Sequence, residues 1–307
     1  MSSPKRQHWV PRMYLRAFAL PETSGTEYPE VWCFGKEGGD PFRASIKHVS
    51  VQEHLYSPRS VQGTRSYEME KRLSGLEGIV APLWQAFAED ALDFENPSYR
   101  KIIALFIATL YLRNPNRLEY HKFTHQRIVE QLGRLPRDTG GNPNITEIIY
   151  QDRKVPVDPS DWGRFANLND SEIQEMFVSA IHRNATSLAK TIISKRWSVL
   201  SADTASFITC DDPVVMVHPV RERFGFRSPG TSVHVPISPT RVLCLDDRFE
   251  QPANMYYLAK PASIPSINYL TWRNARNFMI SSRHTDDVLI EILSYSQFLE
   301  DQSRGQT

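Results

Sequence analysis

Two adjacent carboxylates, Asp211 and Asp212, stand between the apolar runs Phe207-Ile208-Thr209-Cys210 and Pro213-Val214-Val215-Met216-Val217. Apolar, β-branched runs interrupted at Asp-Pro predict strands that end or turn at the acids. A carboxylate held at a strand end can orient or activate water, orient an imidazole, or ligate a divalent cation. It can equally close an Asx turn, the cheaper role for an aspartate before Asp-Pro. Asp211 is read as the chemical candidate and Asp212 as the turn residue. Cys210, beside two acids that favour the neutral thiol, is read as a core cysteine.

The groups that could work with Asp211 come from distant parts of the chain. His8, in His8-Trp9-Val10-Pro11, can transfer a proton or bind a metal, since imidazole titrates near neutrality. Alone, it fits better a partly buried histidine bonded to a backbone carbonyl. Arg113 follows the apolar stripe Tyr99, Ile103, Phe106, Leu110 by three residues, so its charge arrives on a buried helix face. There it must find an acid, Asp211 or another, or a bound anion, because an unpaired buried charge is very costly. Its planar fork suits a phosphate or carboxylate. Arg276, Arg16 and Asn268 are expected to bind substrate. Glu53 and His54 are neighbours that point to opposite faces of an extended segment and do not ligate one metal together. Arg117 and His121 have too few residues between them for the arginine-histidine spacing of helical ribonucleases. Ser238, between Ile237 and Pro239, lacks the glycines of a nucleophile elbow and is read as a turn.

These residues need elements to hold them. After Pro11 a short helix is expected over residues 12–18, then a hairpin of strands at 30–34 and 42–46, and an extended stretch at 49–57. A helix over 67–87 carries Leu73, Leu76, Ile79, Val80, Leu83 and Phe87, with Pro82 inside it as a kink. Asn96-Pro97 starts a second helix cleanly, and helix resumes past Pro115 to Gly133. Residues 136–168 read as a flexible insertion loop with one short helix near 145–150. Ser171 to Gln174 reads as a capping box opening a helix that ends near Lys195. Residues 197–282 are rich in short strands separated by turns, which predicts a mainly antiparallel sheet, with helices at 263–275 and 285–298. The fold class is therefore α+β: a helical middle region packed against a C-terminal, mainly antiparallel sheet, with an N-terminal hairpin, forming a single domain over residues 1–307.

Composition narrows the function. Lys+Arg at 36 against Asp+Glu at 35 gives a net charge of +1, so no global positive field marks a non-specific nucleic-acid binder, although a local basic groove is compatible with it. The three cysteines are far apart and lack CxxC spacing, against a disulfide framework or a thiolate zinc site. No apolar run follows the basic N-terminal residues, so a secretion signal is not expected. The most apolar run, residues 102–112, falls short of the roughly 20 residues of a membrane span. A soluble, cytoplasmic protein with no membrane partner is expected.

Taken together in chain order, His8-Trp-Val-Pro-Arg-Met-Tyr-Leu-Arg-Ala-Phe-Ala, Val49-Ser-Val-Gln-Glu-His-Leu-Tyr56, Tyr111-Leu112-Arg113, Phe207-Ile-Thr-Cys-Asp-Asp-Pro-Val and Pro236-Ile-Ser-Pro239 resemble the DUF4238 family, a group of uncharacterised, mostly microbial proteins. The resemblance covers nearly the whole chain. Asp211 matches the family's acid, whereas Asp212 stands where the family usually has an amide. The resemblance implies a fold and a set of polar positions, and supplies no reaction. From the residue types, the leading expectation is a hydrolase for a phosphate-containing substrate, a nucleotide or nucleic acid. Asp211 would orient or activate water, His8 move a proton, and Arg113 with Arg276 stabilise negative charge. A divalent cation could join through Asp211 and Asp212, with an incomplete ligand set. The alternatives are a non-catalytic module that binds an anion, nucleic acid or protein, and a structural polar core with function on the variable 136–168 loop and a protein partner. The sequence does not identify a protein partner.

Overall fold

A computed structural model of the chain describes residues 5–60, 62–150 and 153–304. Strand β1 (Arg6–His8) and the short helix α1 (Arg12–Arg16) open the described chain, followed by a 3-10 turn at Pro21–Thr23. Next come strands β2 (Glu30–Gly35), β3 (Phe42–Ser45) and β4 (Val51–Glu53), then three helices, α2 (Glu68–Ala88), α3 (Pro97–Leu112) and α4 (Pro115–Gly133). Strands β5 (Glu147–Tyr150) and β6 (Arg153–Pro156) and helices α5 (Trp162–Ala166) and α6 (Asp170–Ser194) complete the middle region. The C-terminal part runs β7 (Arg196–Ser201), β8 (Thr209–Cys210), β9 (Val215–Val217), β10 (Ser232–Ser238), β11 (Arg241–Asp246), β12 (Met255–Leu258), α7 (Ser263–Asn274), β13 (Phe278–Ser281) and α8 (Thr285–Arg304). The architecture is α+β, as the sequence implies.

The helices form where caps and apolar spacing dictate. The Asn96 side chain accepts the N–H of Ser98 at 3.0 Å, and Pro97 occupies the first helical position, where its missing N–H costs nothing. Residues 103, 104 and 106–110 of α3 are all buried, so this helix is apolar nearly all round and forms the centre of the helical layer against α6 and α2. Pro115 stops it, because the residue before a proline is driven from the helical region. Asn114 caps the next helix at once, accepting the N–H of Asn116 at 2.9 Å. The joint between α3 and α4 therefore consists of Arg113 and Asn114, both buried.

The strands assemble into two main sheets rather than one. A five-stranded sheet has the order β12-β7-β11-β10-β9, antiparallel except that β12 runs parallel to β7. A four-stranded antiparallel sheet has the order β3-β2-β13-β8. The N-terminal hairpin β2–β3 is thus an integral half of this second sheet, with Cys33 opposite Ile280. Strand β8 lies at its other edge and delivers Asp211 as the next residue. Strand β1 pairs with β4, which draws His8 and Trp9 over the 46–56 segment.

Several expectations give way to the fold. Residues 147–150 are a strand, not a helix, and pair with β6 in a separate hairpin. Consecutive Ile148 and Ile149 facing Val155 and Lys154 are β-branched side chains that fit a pleated ladder better than a helix turn. The 136–168 stretch therefore carries a hairpin and α5 rather than one short helix. The capping box of α6 is set by Asn169 and Glu172, two residues before the serine proposed for it. Helix α2 runs through Pro82, and Ile79 on it is 57% exposed instead of joining the core. Strand β12 has no counterpart among the expected elements. Among the described residues, no helix is long and apolar enough to cross a membrane.

Candidate functional site

Asp211 is held from every side. Its Oδ1 accepts the backbone N–H groups of Arg276 at 2.8 Å and Asn277 at 3.2 Å, and its Oδ2 accepts that of Asn277 at 2.9 Å. Its carbonyl oxygen accepts the Trp9 indole N–H at 2.8 Å and the Asn114 amide at 3.0 Å. The residue has no exposed surface. Burial pushes its carboxyl upward from the usual range, against the pull of the amide N–H groups of Arg276, Asn277 and Phe278. One aspartate therefore ties the turn between α7 and β13 to the N-terminal segment and to the α3–α4 joint. That geometry makes Asp211 a clamp, with no oxygen open to solvent.

Arg113 finds its acid, as a buried arginine must, but the acid is Glu77 on α2, at 2.7 Å, rather than Asp211. Its Nε donates to the Trp9 carbonyl at 2.7 Å, and its own carbonyl accepts the Tyr56 hydroxyl at 2.8 Å. His8 is half-buried, and its Nε2 donates to the Ile46 carbonyl at 3.1 Å. Burial lowers its pKa to about 4, helped by Arg12, Arg113 and Arg6, so the ring is neutral at physiological pH. Trp9 joins the three elements: Arg113 sits on its carbonyl and Asp211 on its indole. The expected trio is thus brought to one tryptophan, yet His8, Arg113 and Asp211 do not share a hollow that substrate can enter. Arg113 is 1% exposed and Asp211 fully enclosed.

Asp212, next to it in the bend after β8, meets a different set of groups. Its Oδ2 accepts the Asn116 amide at 3.2 Å, while its Oδ1 is buried without a partner. Its carbonyl accepts the Asn274 amide at 2.5 Å. Arg276 donates to the Asn116 Oδ1 at 2.9 Å. Arg117, one residue further along α4, lies over the Tyr111 ring at 3.8 Å, and its Nε is also buried without a partner. Asp212 is 5% exposed, under a half-exposed rim formed by Tyr111, Asn116, Arg117, Asn274 and Arg276. Burial raises its pKa to about 6, opposed by Arg117, the Asn116 bond and Arg276, and reinforced by Asp211. A buried carboxyl oxygen without a hydrogen-bond partner thus lies within the electrostatic reach of two guanidinium groups, both of which favour its ionised form. The one signal in the sequence was the Asn114-Pro115-Asn116-Arg117 turn, whose polar side chains at a helix start have no apolar face to serve.

The remaining candidates are placed elsewhere. Asn268 is fully buried and bridges the Ile208 N–H, the Ser206 carbonyl and Glu291, which is a brace between α7, α8 and the strand before Asp211. Arg16 is exposed and donates to the carbonyls of Thr26 and Glu27, closing a loop. Cys210 is a buried thiol whose pKa burial and the two acids push well up, in keeping with a core cysteine. Among the described residues, no three His, Cys, Asp or Glu side chains gather as a metal site, and the Asp211 oxygens already accept amide N–H groups.

An opening of about 1,080 Å³ lies between the 56–66 segment, α2, α5 and α6. Arg59, Arg164 and Arg183 line it without an ion pair among the described residues, as do Asp161 and Glu175. None of His8, Arg113, Asp211 or Asp212 reaches it. A family model described as "Protein of unknown function (DUF4238)" matches residues 6–285, a span that includes every residue of the hub around Trp9 and of the cluster around Asp212. No curated protein and no solved structure matches the chain.

Proposed function

The chain belongs to the DUF4238 family, and for it we propose a hydrolase that acts on a phosphate-containing substrate, a nucleotide or nucleic acid, with Asp212 in the role first given to Asp211. The observation that carries this reading is the buried, unpartnered Oδ1 of Asp212, whose carboxyl feels the charges of Arg117 and Arg276. A buried polar atom without a partner costs free energy, and sites that keep one commonly use it. Water bonded to that oxygen gives it a proton while attacking phosphorus. The two guanidinium groups hold the phosphoryl oxygens as charge develops on them. The leaving oxygen then receives a proton, from protonated Asp212 or from solvent. A carboxyl titrating at about 6 suits this work, being mostly ionised at neutral pH yet more basic than an ordinary aspartate. Asp211 acts through the backbone, holding the turn from which Arg276 projects.

Turnover of simple phosphomonoesters and phosphodiesters, nucleotides and oligonucleotides by the wild-type chain tests the reading. Asp212→Asn is expected to lower kcat/KM by at least about a hundredfold, the scale of a lost general base. Arg117→Ala is expected to raise KM and lower kcat together. Turnover that Asp212→Asn leaves unchanged would sink it. The alternative of a non-catalytic binding module is favoured by one observation, the unpaired arginines of the large opening. That reading predicts affinity for an anion without turnover, lost on Arg164→Ala and untouched by Asp212→Asn.

A further inference from the structure

Helix α4 leads away from the Asp212 cluster with an exposed face of unusual composition. Asn116, Tyr120, Phe123 and Arg127 follow one another at intervals of four, three and four. At about 100° per residue they lie within roughly 60° of one another on the helix surface. Tyr120 is 58% and Phe123 59% exposed, two large rings left facing solvent side by side. Guanidinium groups flank them: Arg117 at the Asp212 end, resting on Tyr111, and Arg127, which lies over the Phe123 ring at 5.9 Å. Tyr120 is near enough to Tyr111 to affect its ionisation, so the aromatic face begins at the rim of that cluster. The acids of the helix are engaged: Glu119 pairs with Lys122 at 3.7 Å, and Glu130, beyond Arg127, accepts the Gln126 amide at 3.0 Å.

Two exposed rings flanked by guanidinium groups, at a spacing near that of stacked bases, suit one class of ligand. Tyr120 and Phe123 are about 4.5 Å apart along the helix axis, against roughly 3.4 Å between successive nucleotides of a stacked strand. Every base offers a π-face, and every linkage offers an anion to a neighbouring arginine. We infer that the substrate of the Asp212 site is single-stranded nucleic acid, whose bases stack on Tyr120 and Phe123 while its backbone passes Arg127 and Arg117 toward Asp212. This rests on the hydrolase reading for what happens to the strand, and on the α4 face alone for its capture. The net charge of +1 agrees with a local track rather than a basic surface.

The test separates capture from cleavage. Fluorescence anisotropy of a labelled single-stranded oligonucleotide, with full-length Asp212→Asn protein to prevent turnover, reads capture. A small aryl phosphodiester, too short to reach the rings, reads cleavage. In the Asp212→Asn background, Tyr120→Ala and Phe123→Ala should each weaken oligonucleotide binding by about tenfold. Arg127→Ala should reduce the slope of log affinity against log salt by about one. Tyr120→Ala and Phe123→Ala in the wild-type chain should leave cleavage of the small diester unchanged. Oligonucleotide affinity that survives loss of both rings overturns the inference, as does an absence of oligonucleotide binding while the small diester is cleaved. Ring-dependent binding without any cleavage upholds the platform and sinks the hydrolase reading alone.

Discussion

Replacing Asp212 by asparagine should stabilise the protein while removing its activity. The wild-type carboxyl titrates near the ordinary value of 3.8 when the chain is unfolded and at about 6 when it is folded, because burial disfavours the charge. A folded pKa above the unfolded one means that the native state binds the extra proton, so stability is greatest below the unfolded pKa and falls as pH rises through the folded one. At about 1.4 kcal/mol per unit, the penalty above about pH 7 amounts to roughly 3 kcal/mol, of which about half has developed by pH 5. Asparagine keeps an oxygen and an amide in the same volume and carries no charge, so it escapes this penalty. The expected gain is up to roughly 3 kcal/mol at about pH 8, on the order of 5 °C in Tm for a chain of this size, and about 1.4 kcal/mol less at about pH 5. Urea denaturation of the two proteins at both pH values measures it. Asparagine that destabilises the fold at pH 8, or gives the same gain at both pH values, would refute the claim that a desolvated carboxylate occupies this position.

The hub around Trp9 supplies the other predictions. Asp211→Ala leaves the Arg276 and Asn277 amide groups unpaired inside the fold and should cost at least about 3 kcal/mol in chemical denaturation, with Asp211→Asn intermediate. Arg113→Leu strands Glu77 and the Trp9 carbonyl, and a loss of roughly 3–5 kcal/mol is expected; a loss under about 1 kcal/mol would show that the pair contributes little. His8→Gln should leave the pH dependence of activity unchanged above about pH 5, where the folded imidazole is already neutral, but in chemical denaturation it should remove the loss of stability that sets in as pH falls below 6.5, the ordinary imidazole value, toward the folded value of about 4. Asn169→Ala removes the α6 cap and should lower stability by about 1 kcal/mol, whereas Ser171→Ala, at the serine first proposed for that cap, leaves the cap intact and removes the two hydrogen bonds of its Oγ with the Arg59 backbone.

The parts of the fold written in local chemistry were legible in the sequence. Asn96-Pro97 and Asn114-Pro115 mark helix starts because capping and proline geometry involve only neighbouring residues. The buried charge of Arg113 was legible from its place on an apolar stripe, but the identity of its partner was not. Glu77 is on a different helix, and nothing in either segment encodes their crossing. Strand β12 escaped because Met255-Tyr256-Tyr257-Leu258 becomes a strand by lying parallel to β7, a non-local pairing. The two acids were exchanged for a similar reason. Which of two consecutive side chains faces amide groups and which faces a gap depends on the register of β8 against β13, and that register is set by residues far along the chain. Asp211 meets the amide groups of the turn after α7, and Asp212 meets the start of α4.

A crystal of the full chain soaked with tungstate, a tetrahedral oxyanion that stands in for a phosphoryl group, probes the Asp212 cluster directly. Metal density is expected within hydrogen-bond reach of the Arg117 Nε and the Arg276 guanidinium, above the free oxygen of Asp212. Density only in the wide opening by Arg59 and Arg164, with the Asp212 cluster holding none, would contradict the assignment of the site.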